Sequence, residues 1–230
     1  MNAKKQKKDA FEEDYFDGYF KNGIGDYSRK RDEELSNWFR GFFTFLNRFV
    51  PLKTSQRKTI LEFGCAYGAA SAVLKDFGLQ VTATDISKLA VTRAKKLHPG
   101  ITYGVQDMQK PFNATKKFDY AIALDVIEHL EKPEKAIKNV YNILKKDGSA
   151  IFCTPNDYPN AYQDPTHISV KNWKAWKKIC EEAGFSEVRI KRVTFFPPFL
   201  YRYNWRLNIG LPFPMASKFF LSTVFILAKK

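Results

Sequence analysis

Short apolar segments alternate with amphipathic segments along most of this chain. The apolar segments contain few polar positions, which is typical of strands buried on both faces of a sheet. The amphipathic segments begin or end at residues that favour helix termini, such as Ser87, Pro133 and Gly184. The predicted strands are Thr59–Phe63, Leu79–Thr84, Ile101–Val105, Phe118–Leu124, Ser149–Thr154, Ser186–Val193 and Leu221–Ala228, and the predicted helices between them are Gly68–Phe77, Ser87–Leu97, Pro133–Lys145 and Val170–Ala183.

This alternation predicts an α/β fold. Strands separated by helices form a parallel sheet wound on both faces, so we expect a Rossmann-like, doubly wound sheet of seven strands. The alternation ends after Val193, because the segment up to Leu221 contains four prolines and no long helical pattern. The last strand is therefore predicted to pair antiparallel with its predecessor, with the intervening residues as an insert.

The two ends of the chain lie outside this regular pattern. Residues 1–56 are predicted to form an N-terminal extension and residues 57–230 the main domain, with residues 195–217 as a cap on the substrate side. Within the extension, apolar residues from Asp32 to Val50 recur at spacings of three and four, which predicts an amphipathic helix ended by Pro51.

The composition fits a single core in a reducing compartment. The chain has 230 residues, 44% of them hydrophobic, which is enough for one core with an appended lobe. Cys65, Cys153 and Cys180 are too widely spaced for a zinc site or a disulfide framework. Residues 1–30 lack the apolar run of a secretory signal, and Phe219–Ala228 is far shorter than the roughly 20 residues of a membrane span. We therefore expect a cytoplasmic protein.

Positive charge is concentrated near the C-terminus. The formal net charge is +14, and from Thr166 to Lys230 there are 12 Lys and Arg residues against 3 Asp and Glu residues. Such a surface is either simply solvated or attracts an anionic partner, such as a phosphorylated substrate, a nucleic acid or a membrane lipid. Arg202 and Arg206 are four residues apart among aromatic residues, so we expect a shared helical face suited to a phosphate or a lipid headgroup. The alternative is a packed excursion with solvated arginines.

The most informative motif joins the first predicted strand to the helix that follows it. Gly64 and Gly68 permit a tight turn and a close approach of the backbone, and the helix presents its N-terminus to a nucleotide-like ligand. Acidic residues mark the ends of three successive strands at Glu62, Asp85 and Asp107. Asp85 lies 85 − 64 = 21 residues after Gly64, the separation typical of a carboxylate that binds ribose hydroxyls.

These motifs resemble those of the class I S-adenosylmethionine-dependent methyltransferases over roughly residues 58–230. The DVIEHL segment at 125–130 is the most specific, and it is similar to the branch that includes ubiquinone-type O-methyltransferases and many sugar or lipid methyltransferases. One departure is Ala66, which stands where the family has its middle glycine. The resemblance rests on LEFGCAYG (61–68), ATDIS (83–87), VQD (105–107), FDYAIALDVIEHL (118–130) and LKKDGSAIFCTPN (144–156).

The resemblance implies S-adenosyl-L-methionine as the cofactor and methyl donor. It places Glu62 near the methionine amino group, Asp85 at the ribose and Asp107 by the adenine. It also implies that an aromatic N-terminal segment with Tyr19 and Tyr27 folds over the cofactor and contacts the substrate, although these aromatics are equally compatible with packing on the core. The other cofactor-binding residues that it implies are Gly64, Cys65, Ala66, Gly68, Ile86, Met108, Leu124 and Asp125.

His129 and His167 are the two candidates for a catalytic base. They follow the fourth and fifth strands, so both are expected on the cofactor side of the sheet, and histidine titrates near the pH that a base requires. The alternative for each is a hydrogen bond that fixes a helix start or a loop. His98 is expected at the surface. Because the three histidines lack cysteines or carboxylates at metal-ligand spacing, we expect no metal site.

Two other functional classes stay open. A nicotinamide-dependent oxidoreductase is compatible with the degenerate GxAxxA turn at 64–69 and with Asp85, but Glu62 and Asp107 favour the methyltransferase. A nucleic-acid-binding methyltransferase or a binding module would account for the net charge and predicts salt-dependent binding. No aromatic-flanked Asn-Pro-Pro or Asp-Pro-Pro motif is present, so we expect no nucleic acid. The partners expected instead are an anionic small-molecule, sugar or lipid-linked acceptor, methylated on oxygen or nitrogen, and a membrane surface.

Overall fold

A sheet of eight strands runs through the computed structural model, which describes residues 29–112, 116–196, 199–215 and 221–230. The strands are β1 (Thr59–Phe63), β2 (Gln80–Asp85), β3 (Thr102–Val105), β4 (Phe118–Leu124), β5 (Leu144–Pro155), β6 (Glu187–Phe196), β7 (Ile209–Leu211) and β8 (Leu221–Lys229). The helices are α1 (Arg29–Leu46), α2 (Ala69–Asp76), α3 (Lys88–Leu97), α4 (Pro133–Ile143) and α5 (Trp173–Glu182).

The strand order is β3-β2-β1-β4-β5-β8-β6-β7. The first five strands pair in parallel, whereas β8 lies between β5 and β6 and runs antiparallel to both. This confirms the predicted doubly wound sheet with an antiparallel last strand. The sheet has one strand more than predicted, because the three-residue β7 within the insert pairs with the end of β6, where Ile209 faces Phe196.

Side-chain caps set where two of the helices begin. The hydroxyl of Ser87 accepts a hydrogen bond of 3.1 Å from the Ala90 N–H at the start of α3, as the sequence predicted. The Asn172 side chain accepts one of 3.0 Å from the Ala175 N–H, and α5 therefore begins at Trp173 rather than at the predicted Val170. Residues of these first turns thus have partners for their otherwise unpaired backbone donors.

The two faces of the sheet carry separate hydrophobic clusters. Phe225 faces α1, and its neighbour Ile226 faces the opposite cluster below α4 and α5, as the alternation of side chains along a strand requires. The ring centroid of Phe42 in α1 lies 5.0 Å from that of Phe225 and 5.5 Å from that of Phe195. Helix α1 therefore shares the core of the sheet, although it belongs to the predicted extension 1–56. That boundary and the cap at 195–217 stay predictions.

The fold also bears on two expectations from composition. All three cysteines are buried and free. Within the described ranges, no helix is both long enough and apolar enough to cross a membrane.

Candidate functional site

The carboxyl ends of neighbouring strands bring the predicted cofactor residues to one edge of the sheet. Strand β1 lies between β2 and β4, with Phe63 opposite both Thr84 and Ala123. The acids at or just beyond these strand ends therefore share one edge, the usual ligand position in open α/β sheets. These acids are Glu62, Asp85 and Asp125, and Asp107 follows β3 on the far side of β2.

The turn between β1 and α2 is built from residues with a left-handed backbone. The φ angles are 71° at Gly64, 46° at Ala66 and 91° at Gly68, the residue that precedes α2. This conformation explains why the family has a glycine where this chain has Ala66. An L-residue with a Cβ adopts it at a cost of about 1–2 kcal/mol. The backbone N–H of Ala66 offsets part of this by donating a 2.9 Å hydrogen bond to the Asp85 carboxylate.

The carboxylate of Asp85 connects two loops of the site through hydrogen bonds. One carboxylate oxygen accepts the hydrogen bond from Ala66, and the other accepts one of 2.9 Å from the Ser87 N–H at the start of α3. The side chain is buried; burial raises its pKa, while the backbone N–H groups favour the ionised form. Ile86, exposed by 36%, lies beside it at the edge of the sheet. This position fits the predicted contact with a ribose.

Glu62 is a fully buried acid with one hydroxyl partner. Its residue is 2% exposed, and its carboxylate accepts a hydrogen bond from the hydroxyl of Ser71 in α2. Burial raises the pKa of Glu62 to about 7; the Ser71 bond lowers it and the nearby Asp85 raises it further. A cationic group placed here would favour the ionised form. Ser71 was missed by the sequence analysis, and its only signal is a serine among the alanines that open α2.

The remaining predicted cofactor residues differ in how much of each side chain is exposed to solvent. Asp107 is half-buried and accepts a 2.9 Å hydrogen bond from the Gln109 N–H. Met108 and Cys65 are each 4% exposed and lie in the two hydrophobic clusters, so a ligand in the cleft would meet their backbones rather than their side chains. Leu124 is half-buried at the end of β4, and Asp125 beyond it is exposed, with φ of 51°.

His129 and His167 meet at the same edge of the sheet, with ring centroids 4.6 Å apart. Nδ1 of His129 lies 3.1 Å from the carbonyl oxygen of Thr166, and Nδ1 of His167 lies 2.6 Å from that of Ala161. Burial, with a smaller effect of His167, lowers the pKa of His129 to about 4. His129 is therefore neutral near pH 7 and is a weak base, which favours His167 for that role.

Three predictions concern residues away from the cofactor edge of the sheet, and their outcomes differ. His98 is not a surface residue, because it is half-buried and its Nε2 lies 3.0 Å from the Asp32 carboxylate of α1. Arg202 and Arg206 do not share a helical face, because they lie in two separate 3₁₀ turns. Arg202 lies 3.6 Å from the Glu34 carboxylate. Tyr19 and Tyr27 lie outside the described residues.

The comparisons with known proteins identify the class. A family model described as a methyltransferase domain matches residues 27–190, well over half of the chain, and the chain belongs to this family. This confirms the predicted class, the S-adenosylmethionine-dependent methyltransferases of class I, over a nicotinamide-dependent oxidoreductase.

Relatives and solved structures agree with this assignment. The ubiquinone biosynthesis O-methyltransferase of Coxiella burnetii (strain Dugway 5J108-111) is 30% identical over 113 residues, which are 47% of this chain and 48% of that protein. The chain thus aligns with about half the length of this relative. Magnesium protoporphyrin IX methyltransferase from Synechocystis PCC 6803 has the same fold, with a TM-score of 0.65 at 18% identity over 100% of this chain and 98% of that one. A methyltransferase from Archaeoglobus fulgidus gives 0.64 at 22% identity, over 94% and 100%.

Proposed function

We propose that this protein transfers the methyl group of S-adenosylmethionine to a hydroxyl or amino group of a small-molecule, sugar or lipid-linked acceptor. The observation that carries this proposal is the meeting of Glu62, Asp85 and the His129–His167 pair at one edge of the sheet. The sulfonium methyl group is already activated, so much of the catalysis is alignment of the acceptor about 3–3.5 Å away. The relative from Coxiella burnetii, named an O-methyltransferase of ubiquinone biosynthesis, supports an oxygen acceptor.

We assign the predicted contacts to the two ends of the cofactor. Glu62 pairs with the methionine amino group, since it is a buried carboxyl whose side-chain partner among the described residues is the Ser71 hydroxyl. Asp85 accepts hydrogen bonds from the ribose hydroxyls. It does so through the carboxylate lone pairs that are not used by the backbone N–H groups of Ala66 and Ser87. Asp107 lies by the adenine. The turn at 64–68, with its left-handed backbone, approaches the methionine end of the ligand.

Of the His129–His167 pair, His167 is the residue that accepts the acceptor proton. Nδ1 of each ring faces a carbonyl oxygen, which only accepts hydrogen bonds, so the proton of a neutral ring sits on Nδ1 and the lone pair on Nε2. The Nε2 atom of His167 also lies 3.6 Å from the Asp164 carboxylate. These contacts give His167 the orientation that a base needs.

His167→Ala tests this assignment. We expect turnover to fall by at least about 100-fold, the lower end of what a positioned proton acceptor contributes, with the Kd for S-adenosylhomocysteine unchanged within twofold. Turnover would be measured as the transfer of tritiated methyl groups from S-adenosylmethionine to small molecules. The assay would contain small-molecule extracts supplemented with phenols, sugars and lipid-linked alcohols as candidate acceptors. His98→Ala is the matched control, because His98 bonds to Asp32 and lies outside the pair. Equal turnover in both variants would remove His167 from the mechanism.

The charge and aromatic content of the insert support an anionic membrane surface as a partner. The aromatic patch, as we call it, consists of six exposed apolar residues: Phe196, Phe199, Tyr203, Leu207, Ile209 and Phe213. Strand β6 runs parallel to β5, since both are antiparallel to β8, so Phe196 ends β6 at the edge that carries the cofactor residues. Exposed Arg202 and Arg206 lie within the same segment. Aromatic side chains with neighbouring basic groups suit the interface of an anionic bilayer.

Vesicle binding tests this partner. We expect the full chain to co-sediment with phosphatidylcholine vesicles that contain phosphatidylglycerol, and less with phosphatidylcholine alone. Phe199→Ser combined with Tyr203→Ser should weaken binding about tenfold or more, because each exposed aromatic ring buries apolar area worth about 1 kcal/mol or more at the interface. Leu97→Ser in α3 is the control, since Leu97 is a similarly exposed apolar residue at 39% outside the patch. Equal binding of both variants would contradict the proposal.

A further inference from the structure

Arg192 in β6 is a half-buried cation that forms no ion pair with a described Asp or Glu. Its neighbour Val193 lies in the cluster under α1, so Arg192 lies on the opposite face of the sheet, the one that α5 covers. From the sequence, Arg192 belongs to the basic excess near the C-terminus, which is either solvated or open to an anionic partner. The structure gives this guanidinium two neutral oxygen acceptors instead.

Both acceptors of Arg192 belong to the start of the loop that follows β5. Nε donates a 2.9 Å hydrogen bond to Oδ1 of Asn156, and Nη2 donates one of 2.9 Å to the Tyr158 hydroxyl. Asn156 is 2% exposed, and its Nδ2 donates in turn to Oγ of Ser222 in β8 over 2.9 Å. Hydrogen bonds from a cationic donor are stronger than neutral ones. The start of the loop is therefore fixed to β6 and β8.

Hydrogen bonds continue from Tyr158 to the ring of His167. The Tyr158 carbonyl oxygen accepts a 2.8 Å hydrogen bond from the Ala161 N–H. The Ala161 carbonyl oxygen lies 2.6 Å from Nδ1 of His167 and holds the proton of the neutral ring on that nitrogen. The direction of this carbonyl, and with it the position of the lone pair on Nε2, therefore depends on where Arg192 holds Tyr158.

The end of the same loop is held in another way. The Asp164 carboxylate accepts hydrogen bonds of 2.8 Å from the N–H and 2.6 Å from the hydroxyl of Thr166. The carbonyl oxygen of Thr166 lies 3.1 Å from Nδ1 of His129. The partner of His129 thus belongs to the part of the loop that Asp164 organises, and the partner of His167 to the part that Arg192 fixes. Loss of Arg192 should disturb one imidazole and spare the other.

We propose that Arg192 is a positioning residue for the base, acting through Tyr158 and the Ala161 carbonyl on the tautomer and orientation of His167. This inference rests on the proposed function, in which Nε2 of His167 takes the proton of the acceptor. A base must lie within hydrogen-bond reach of that proton, and a misplacement of about 1 Å can cost about 100-fold in rate.

Nitrogen NMR of the full chain reads the tautomer without turnover. The chain has three histidines, so His98→Ala and His167→Ala assign the ring signals. At alkaline pH, where imidazoles are neutral, wild type should show His167 protonated on Nδ1. Arg192→Gln should show a mixture of the two tautomers, because the Ala161 carbonyl is no longer held in place. Tyr158→Phe, which loses only a hydroxyl, should show the same mixture.

Two controls separate positioning from general destabilisation. The ring signals of His129 should not change in Arg192→Gln, since its carbonyl partner is held independently. Arg189→Gln removes an arginine of the same strand that pairs with Glu187 at 3.3 Å, and it should leave the His167 signals as in wild type. The proposal is overturned if Arg192→Gln keeps His167 as a single Nδ1-protonated form, or if wild type already shows both tautomers.

Turnover supplies the second readout. Arg192→Gln should lower turnover about tenfold or more, with the Kd for S-adenosylhomocysteine unchanged. In the His167→Ala background the same substitution should have no further effect, because Arg192 acts through that ring. A purely structural role would lower turnover in both backgrounds, and that result would also overturn the proposal. Absent methyl transfer in every form of the protein would count against the proposed function, while the NMR signals would still decide the role of Arg192.

Discussion

Gly64→Ala should strongly disrupt the cofactor turn, with a loss of about 2–5 kcal/mol in the free energy of unfolding. A Cβ at residue 64 would lie well inside van der Waals contact with Cγ2 of Val126. The φ of 71° adds about 1–2 kcal/mol for a residue with a side chain, and overpacking adds about 1–3 kcal/mol. The backbone cannot shift freely, because Phe63 is held in the ladder between β2 and β4. Cofactor affinity should fall as the turn deforms.

Gly104→Ala is the matched control for this variant. Gly104 lies in β3, and a Cβ there would meet Thr84 at an ordinary 3.9 Å. We expect this variant to be neutral or slightly stabilised, because glycine is unfavourable inside a strand. Val126→Ala in the Gly64→Ala background should recover the part of the loss due to the clash. Urea unfolding measures all of these, and a Gly64→Ala loss no larger than that of Gly104→Ala would show that the turn is not constrained as described.

The affinity for S-adenosylmethionine should rise with pH up to about 7 and then level off. Glu62 has a pKa of about 7 in the free protein, and its ionised form is the one that pairs with the ammonium group of the ligand. Below that pKa the carboxyl must first lose its proton, so the Kd should fall about 15-fold between pH 5.5 and 7, with the steepest change at the acidic end. Binding should release a proton, which calorimetry in buffers of different ionisation enthalpy detects.

Glu62→Gln should remove this pH dependence. The amide oxygen still accepts from Ser71, so the variant keeps the local packing while it loses the ionisable group. Without ligand, the raised pKa of Glu62 has the opposite effect of pH: the folding stability that it contributes is greatest at low pH. A pKa raised from 4.5 to about 7 favours folding below pH 4.5, and this contribution, about 3 kcal/mol, is lost as the pH rises towards 7. Parallel pH profiles for ligand binding in wild type and Glu62→Gln would place the ammonium group away from Glu62.

The parts of the site that the sequence predicts are local in the chain. The strand, turn and helix around Gly64 and the acids at strand ends follow from apolar runs and spacing, and the structure puts Glu62 and Asp85 at one sheet edge. The bond from Ser71 to Glu62 depends on the rotation of α2, which no local pattern specifies. His98 contacts Asp32 across 66 residues, and His167 reaches Glu128 only through the path of the loop after β5. Such contacts depend on topology and are invisible to periodicity.

The same reasoning explains the missed strand. Three residues of β7 are too few to show an alternation, and their pairing depends on where the insert returns to β6. The predicted helical face for Arg202 and Arg206 is wrong because Asn204 interrupts the segment. Its side chain accepts a 2.9 Å hydrogen bond from the Arg206 N–H and starts a second 3₁₀ turn.

Helix α1 has a practical consequence for how this protein can be divided. Phe42 and Phe43 are almost completely buried against the sheet, in the cluster that contains Phe195 and Phe225. A fragment that begins at residue 57 would leave these strand residues facing water, on a sheet whose opposite face is already covered by α4 and α5. Burial of each ring is worth about 2 kcal/mol, so we expect a fragment that includes α1 to be more stable than one that begins at residue 57.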